Sequence, residues 1–168
     1  MKNIPQGSRP VLTQTENNKT LWVGHLKHGI NDHIAGQTFT CPSEGILNNI
    51  QVYSAAVTRP GELLLTLHEF DTETKTWGPA IGRSNVRMEI KDISRWIHFE
   101  LEPVALKKNV AYGFRLHAPE AFIGIGEAAH QSKDPFHFGM AWNGGSNQPE
   151  KGLYFNYFSL AFKVEMCA

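Results

Sequence analysis

Apolar side chains recur at every second position along much of the chain from residue 36 onward. In GELLLTLHEF, Leu63, Leu65 and Leu67 fall on one side of an extended backbone. RWIHFEL repeats the pattern, with Phe99 on the apolar side and Trp96 on the other. Because a pleated strand sends alternate side chains to opposite faces, each run predicts a strand with one buried face and one wetter face.

Segments rich in proline and glycine separate these runs. Such segments cannot continue a ladder of backbone hydrogen bonds, so each predicts a reversal of the chain. The turn signals are Arg59-Pro60-Gly61, Gly78-Pro79, Ala118-Pro119-Glu120 and the segment 144–149. The predicted strands begin near Gly36, Ile46, Gly61, Val86, Arg95, Val110, Ala121, Phe136 and Tyr157, with a further candidate over 21–24. About nine strands at this spacing predict an all-β antiparallel sandwich, and we expect jelly-roll topology.

The chain length of 168 residues matches one domain. Residues 1–19 are polar and contain proline, so we expect a loosely held leader there and a single sandwich domain over 20–168. The N-terminal MKNIPQGSRP lacks the apolar core of a secretory signal, and no run approaches the roughly 18 apolar residues of a membrane span. We therefore expect no membrane insertion, and the compartment stays open.

The charge balance and the two cysteines argue against some classes of partner and identify none. Sixteen basic residues offset sixteen acidic ones, so no net field attracts nucleic acid, whereas a neutral glycan or other small molecule fits. Cys41 and Cys167 lie far apart without a CxxC pair, which argues against structural zinc. Two free thiols are favoured over a disulfide between the first and last core strands.

The succession of strands resembles galactose-binding-like jelly-roll domains of bacterial surface and carbohydrate-active proteins. The residues that carry the resemblance are Gln37, Thr38 and Phe39, then Gly61, Leu63 and Leu67, then Gly78 and Pro79, then Trp96 and Phe99, then Tyr112. It covers about residues 35 to 165, and Asn109 departs from it where a glycine often precedes the tyrosine strand. The resemblance implies a carbohydrate-binding module at the cell surface or secreted, by analogy of fold alone.

Two aromatic surfaces are the best candidates for a binding site. The segment FHFGMAWNGGSNQPEKGLYFNY concentrates aromatic side chains around a loop of glycine and amide residues. Aromatic rings cover the C–H face of a sugar while amide, imidazole and guanidinium groups bind its hydroxyls, although core packing accounts for part of this cluster. The first surface supplies Trp142, Asn143, Tyr154 and His137, and the second, on the wet face of other strands, supplies Trp96, His98, His68 and Arg115.

Signals for catalysis or metal binding are weaker. HLKHGINDH groups His25, His28 and His33 with Asp32, but the spacing matches no standard zinc or iron site. The acidic loop 71–74 offers oxygens to calcium without the spacing of a strong site. There is no G-x-S-x-G motif, and the glutamates of a glycosidase would leave no local signature; the pool is Glu69, Glu100, Glu102 and Glu127. We expect no catalysis, no cofactor and no resident metal.

Our leading hypothesis is therefore a non-catalytic ligand-binding sandwich, with carbohydrate as the ligand. A structural or adhesive domain whose exposed aromatics contact protein is the second hypothesis. A hydrolase or metal enzyme built on the sandwich is the third.

Overall fold

The computed structural model describes residues 7–25, 29 and 31–168. These residues form thirteen strands and no helix, so the predicted all-β antiparallel class is confirmed. The strands are β1 Ser8–Gln14, β2 Lys19–His25, β3 Asp32–Thr40, β4 Gly45–Arg59, β5 Gly61–Asp71, β6 Thr76–Met88, β7 Arg95–Leu106, β8 Ala111–His117, β9 Phe122–Ala129, β10 Ala141–Gly145, β11 Gln148–Phe155, β12 Phe158–Leu160 and β13 Phe162–Cys167. The expected number of about nine was too low.

Backbone hydrogen bonds join all thirteen strands into one antiparallel sheet that doubles back on itself. One layer has the order β1-β13-β4-β7, and the other has the order β9-β2-β3-β8-β5-β6. Strand β4 belongs to both, because residues 45–54 pair with β7 and residues 54–59 pair with β9. Its pairing with β9 contains two register shifts, which bend the strand where it passes between the layers. The jelly-roll connectivity stays a prediction.

The two layers pack face to face around one apolar core. Phe162 on β13 contacts Phe114 on β8 and Phe39 on β3, with ring centroids 5.7 and 6.1 Å apart, although these strands are not paired. The alternation predicted along β5 is confirmed, since Leu63 and Leu65 are almost completely buried. Burying a leucine fully contributes roughly 1.5–3 kcal/mol each, so this alternation is the main local source of stability.

Two strands lie where the sequence predicted a leader or a turn. Ser8–Gln14 pairs with β13 instead of forming a loose leader, and Leu12 packs against the core. A strand at a sheet edge is held by backbone hydrogen bonds on one side, so it needs little apolar alternation and is hard to recognise in sequence. Gln148–Phe155 forms β11, in which Pro149 is tolerated because the strand is an edge.

Two other predictions differ from the structure in detail. Residues 136–140 are not a strand, although the carbonyls of Phe138 and Met140 accept hydrogen bonds from the backbone of β3. Gly78-Pro79 lies inside β6 as an irregularity of register instead of a turn. The predicted strand ends at Pro60 and at Pro119 are confirmed. Cys41 and Cys167 are both free thiols, as expected.

Candidate functional site

The outward face of one layer gathers four of the predicted ligand residues. Paired strands β5, β8, β3, β10 and β11 place residues directly opposite one another in a single row. Opposite residues of an antiparallel ladder point to the same face. The row is Thr66, Arg115, Gly36, Trp142 and Tyr154, and His68 stands in the neighbouring row opposite Gly113. Register alone therefore brings together residues from distant parts of the chain.

Arg115 packs against two indole rings whose centroids lie 5.6 Å apart. Its guanidinium carbon lies 4.4 Å from the centroid of Trp77 and 4.3 Å from that of Trp142. Two glycines make room for the stack, since a Cβ on Gly113 would lie 2.5 Å from Trp77 and one on Gly36 would lie 3.0 Å from Trp142. Cation–π contacts of this kind stabilise a half-buried cation and hold its plane in one orientation.

Trp77 reaches this row because β6 is irregular beside Gly78 and Pro79. The register skips from His68–Ala80 to Phe70–Trp77, so two residues of β6 face one residue of β5. Proline has no N–H to donate to the ladder, and a bulge of this type redirects the side chains next to it. The Trp77 ring therefore turns over the outward face and packs against Phe70 and His68, with ring centroids 5.2 and 5.5 Å away.

A hydrogen-bond bridge joins the two ends of this surface. Trp77 Nε1 donates to the Tyr154 hydroxyl at 3.0 Å, and that hydroxyl donates to the carbonyl oxygen of Lys75 at 3.2 Å. Strands β6 and β11 are five intervals apart, which is roughly 24 Å in a flat sheet. The surface must therefore curve strongly, so that the β5–β6 and β10–β11 hairpins meet above β8.

A groove of about 480 Å³ opens at this meeting point, and we call it the Arg115 groove. Its lining combines cationic, hydroxyl and aromatic groups with one carboxylate. The lining residues are Thr74, Lys75, Thr76, Trp77, Gly78, Arg115, Pro149 and Glu150. The hydroxyls of Thr74 and Thr76 lie 2.8 Å apart at the rim. These groups match the chemistry of a polar ligand with one flat apolar face.

Arg115 has no carboxylate partner within 4 Å among the described residues. Its Nε is enclosed and makes no hydrogen bond in that part of the chain. Burial lowers the pKa of Arg115, while the nearby Tyr154 and Glu150 act to raise it. A guanidinium nevertheless stays charged at neutral pH, so the groove contains a cation whose donors are unused.

His68 supports the groove from below without entering it. Burial lowers the pKa of His68, which favours the neutral ring. Its Nδ1 lies 2.8 Å from the Gly78 carbonyl, which accepts only, so Nδ1 carries the proton. Nε2 then accepts from the Thr66 hydroxyl at 2.8 Å. His68 thus donates a hydrogen bond to the Gly78 carbonyl, which the irregular register of β6 places next to it.

The other predicted ligand residues lie elsewhere. Trp96 and His98 are on β7 in the opposite layer, where Trp96 packs against Tyr53 and lies under the ammonium of Lys163. The predicted second surface is therefore divided between the two layers. His137 is exposed in the segment before β10.

Asn143 points away from the Arg115 groove, on the other side of β10 from Trp142. It lines a second pocket of about 360 Å³ together with Trp22 and His33. Its Oδ1 is enclosed without a hydrogen-bond partner among the described residues. Trp142 itself is only 1% exposed, so it serves the groove by holding Arg115 and offers no open ring face to a ligand.

The metal candidates of the sequence are occupied by internal contacts. Asp32 accepts hydrogen bonds from His25 Nδ1 at 2.6 Å and from His117 Nε2 at 2.7 Å, and His28 lies outside the described residues. In the acidic loop, Asp71 accepts from the backbone N–H groups of its own turn. Across residues 7–25, 29 and 31–168, no group of three or more His, Cys, Asp and Glu side chains is arranged to hold a metal ion.

Arg115 is the one residue of the described groove lining that the sequence predicted as a ligand contact. Trp77 was missed because the adjoining Gly78-Pro79 was interpreted as a turn. Lys75 occupies the left-handed region with φ of 53° in the turn before β6, and nothing in its immediate sequence distinguishes it from other surface lysines.

Comparisons with known proteins give no family. A scan against protein-family models finds no match, and no curated protein matches the sequence. In the part of the chain that the structure describes, no helix is long and apolar enough to cross a membrane. The resemblance to galactose-binding-like domains accordingly stays a prediction.

Proposed function

We propose that the protein is a non-catalytic carbohydrate-binding module and that the Arg115 groove is its binding site. The observation that carries the proposal is the half-buried guanidinium of Arg115, which packs against two tryptophans at a groove and has unused donors. A buried charge without a partner is costly, so a fold that retains one at a groove is suited to a ligand that accepts hydrogen bonds.

The groups around Arg115 suit a sugar. The edge of Trp77 and the ring of Pro149 offer apolar surface to ring C–H groups, and the hydroxyls of Thr74 and Thr76 offer hydrogen bonds to sugar hydroxyls. Rigid walls reduce the entropy lost on binding. The bridge through Tyr154 provides such a wall, because it ties β6 to β11 on both sides of the groove.

The test is a glycan array followed by titration calorimetry on the glycans that bind. Tyr154→Phe removes the hydroxyl that bridges Trp77 and Lys75, and we expect it to weaken binding by about threefold to tenfold. Trp96→Phe, on the opposite layer, is the matched aromatic control and should leave the affinity unchanged. An array without any binder, or equal effects of the two substitutions, would contradict the proposal.

A protein-interaction domain is the second candidate, and one observation favours it. Strand β11 pairs only with β10 among the described strands, and its Leu153 is 66% exposed. An exposed strand edge with an apolar side chain can receive a strand from another chain. Light scattering of the wild type and of Leu153→Lys distinguishes the two candidates, since only this one requires an oligomer that the substitution dissociates.

A further inference from the structure

The unused N–H donors of the Arg115 guanidinium indicate the charge of the ligand. The guanidinium carbon lies 4.4 Å from the ring centroid of Trp77 and 4.3 Å from that of Trp142, and the two centroids lie 5.6 Å apart. Both rings therefore lie toward one side of the guanidinium and do not cover its two opposite faces. Nε is enclosed, whereas the two terminal nitrogens are not enclosed and make no hydrogen bond with the described residues. These terminal nitrogens form the edge of the guanidinium that is left for a ligand, and Arg115 is one of the residues that line the groove.

A carboxylate fits this edge better than a hydroxyl does. Its two oxygens are coplanar and accept two parallel N–H bonds from a guanidinium, and such charge-assisted pairs are about twice as strong as neutral hydrogen bonds. Pairing would also offset the cost of half-burying the Arg115 charge, which a neutral hydroxyl offsets only in part.

The groove as a whole carries one net positive charge. Among its described lining residues, Lys75 and Arg115 are cationic and Glu150 is acidic. The backbone of Lys75 is held by the hydrogen bond from Tyr154 to its carbonyl, and its ammonium lies 5.5 Å from the Tyr154 ring. Glu150 makes no ion pair with Arg115 within 4 Å, so it does not occupy the hydrogen-bond donors of the guanidinium.

We propose that the ligand of the Arg115 groove is an acidic saccharide whose carboxylate pairs with Arg115, with Lys75 as a second positive contact. This inference rests on the carbohydrate-binding function proposed above and specifies its ligand class. It differs from the neutral glycan that the balanced net charge favoured, because the local charge of a groove and the net charge of a chain are independent.

The experiment uses a glycan array that contains neutral, uronic acid, sialylated and sulfated glycans. For each carboxylated glycan that binds, the same glycan with its carboxyl group reduced to an alcohol is measured by titration calorimetry. We expect reduction to weaken binding by about tenfold or more. Arg115→Gln should cause a similar loss for the acidic glycan and little further loss for the reduced one.

Four variants test whether the charges of the groove, and not a loss of folding, determine the affinity. Arg115→Lys keeps the charge without the planar fork and should recover only part of the affinity. Lys75→Gln, in an exposed turn, should weaken binding by about twofold to threefold, and Glu150→Gln should strengthen it by a similar factor. Arg9→Gln on β1, in the opposite layer, removes the same charge and should change nothing. Thermal melts establish that each variant is folded.

The outcomes separate this inference from the function on which it rests. An array with no binder overturns carbohydrate binding itself. Binding of neutral glycans alone, with full affinity in Arg115→Gln, overturns the acidic ligand and leaves the function intact. Binding of sulfated glycans without carboxylated ones also overturns the carboxylate. Selective binding of carboxylated glycans that is lost on reduction and in Arg115→Gln supports the inference.

Discussion

Gly113 is the position where one added methyl group tests the architecture of the groove most directly. A Cβ there would lie 2.5 Å from Trp77 Cζ3, 2.8 Å from Cη2 and 3.2 Å from the Gln37 backbone oxygen. Contacts below 3 Å do not persist between carbon atoms, so the indole must move. Its movement would weaken the stack on Arg115 and the hydrogen bond to Tyr154.

The expected cost of Gly113→Ala follows from these contacts. Overpacking costs about 1–3 kcal/mol, and a weakened cation–π contact costs about 0.5–1 kcal/mol. The lower entropy of the unfolded alanine chain offsets about 0.4–1 kcal/mol. The net loss in the free energy of unfolding is therefore about 0.5–3.6 kcal/mol, which lowers Tm by about 1–14 °C for a chain of this size.

The assay combines thermal and urea unfolding with near-ultraviolet circular dichroism, which reports the packing of Trp77 against Trp142. Gly7→Ala is the matched control, because its added Cβ would meet only the Ala168 methyl group at 3.9 Å. In a Trp77→Ala background, Gly113→Ala should cost little or nothing, since the obstructing ring is gone. An equal cost in both backgrounds, or an unchanged spectrum in the single variant, would refute the reasoning.

Two further predictions concern the buried carboxylate of Glu127 and the partly buried one of Asp32. Burial raises the pKa of the Glu127 carboxyl, against the lowering effect of Lys19. The contribution of the protonated carboxyl to stability is therefore fully present below the pKa of the unfolded chain. It is lost as the pH rises through the pKa of the folded protein. Glu127→Gln should therefore be at least as stable as wild type at pH 7 in urea unfolding, and a marked loss there would contradict this. For Asp32, burial raises the pKa, but the hydrogen bonds from His117 and His25 outweigh this effect and the net pKa is lowered. The contribution of the ionised Asp32 to stability is therefore present above the pKa of the unfolded chain. It is lost as the pH falls through the pKa of the folded protein. Asp32→Asn should cost about 1–2 kcal/mol at pH 7 and flatten the acid limb of the stability profile; an unchanged acid limb would argue against the two histidine contacts.

Much of the strand content was predictable because alternation is a local property. Leu63 and Leu65 reveal a buried face through their own spacing, and the same holds for Phe99 and Phe114. Strand β1 was not predictable in this way. Its stability comes from the backbone of β13, which lies at the other end of the chain.

The candidate site was predictable only as residue types. Trp142, Tyr154 and Arg115 were recognised from their chemistry, but the sequence divided them between two surfaces and joined Arg115 to Trp96. Trp77 was missed because an irregular register and a turn share the same Gly-Pro signature.

By itself, the sequence determined the all-β class, the buried faces of most strands and the residue types suited to a ligand, because each depends on spacing within a few neighbouring residues. The tertiary structure alone decided that Arg115 packs against Trp77 and Trp142 and that Trp96 lies on the opposite layer. Strand order and register govern those contacts, and both arise from pairing between segments far apart in the chain. No local pattern of side chains encodes such pairing, so the groove exists only once the sheet has closed.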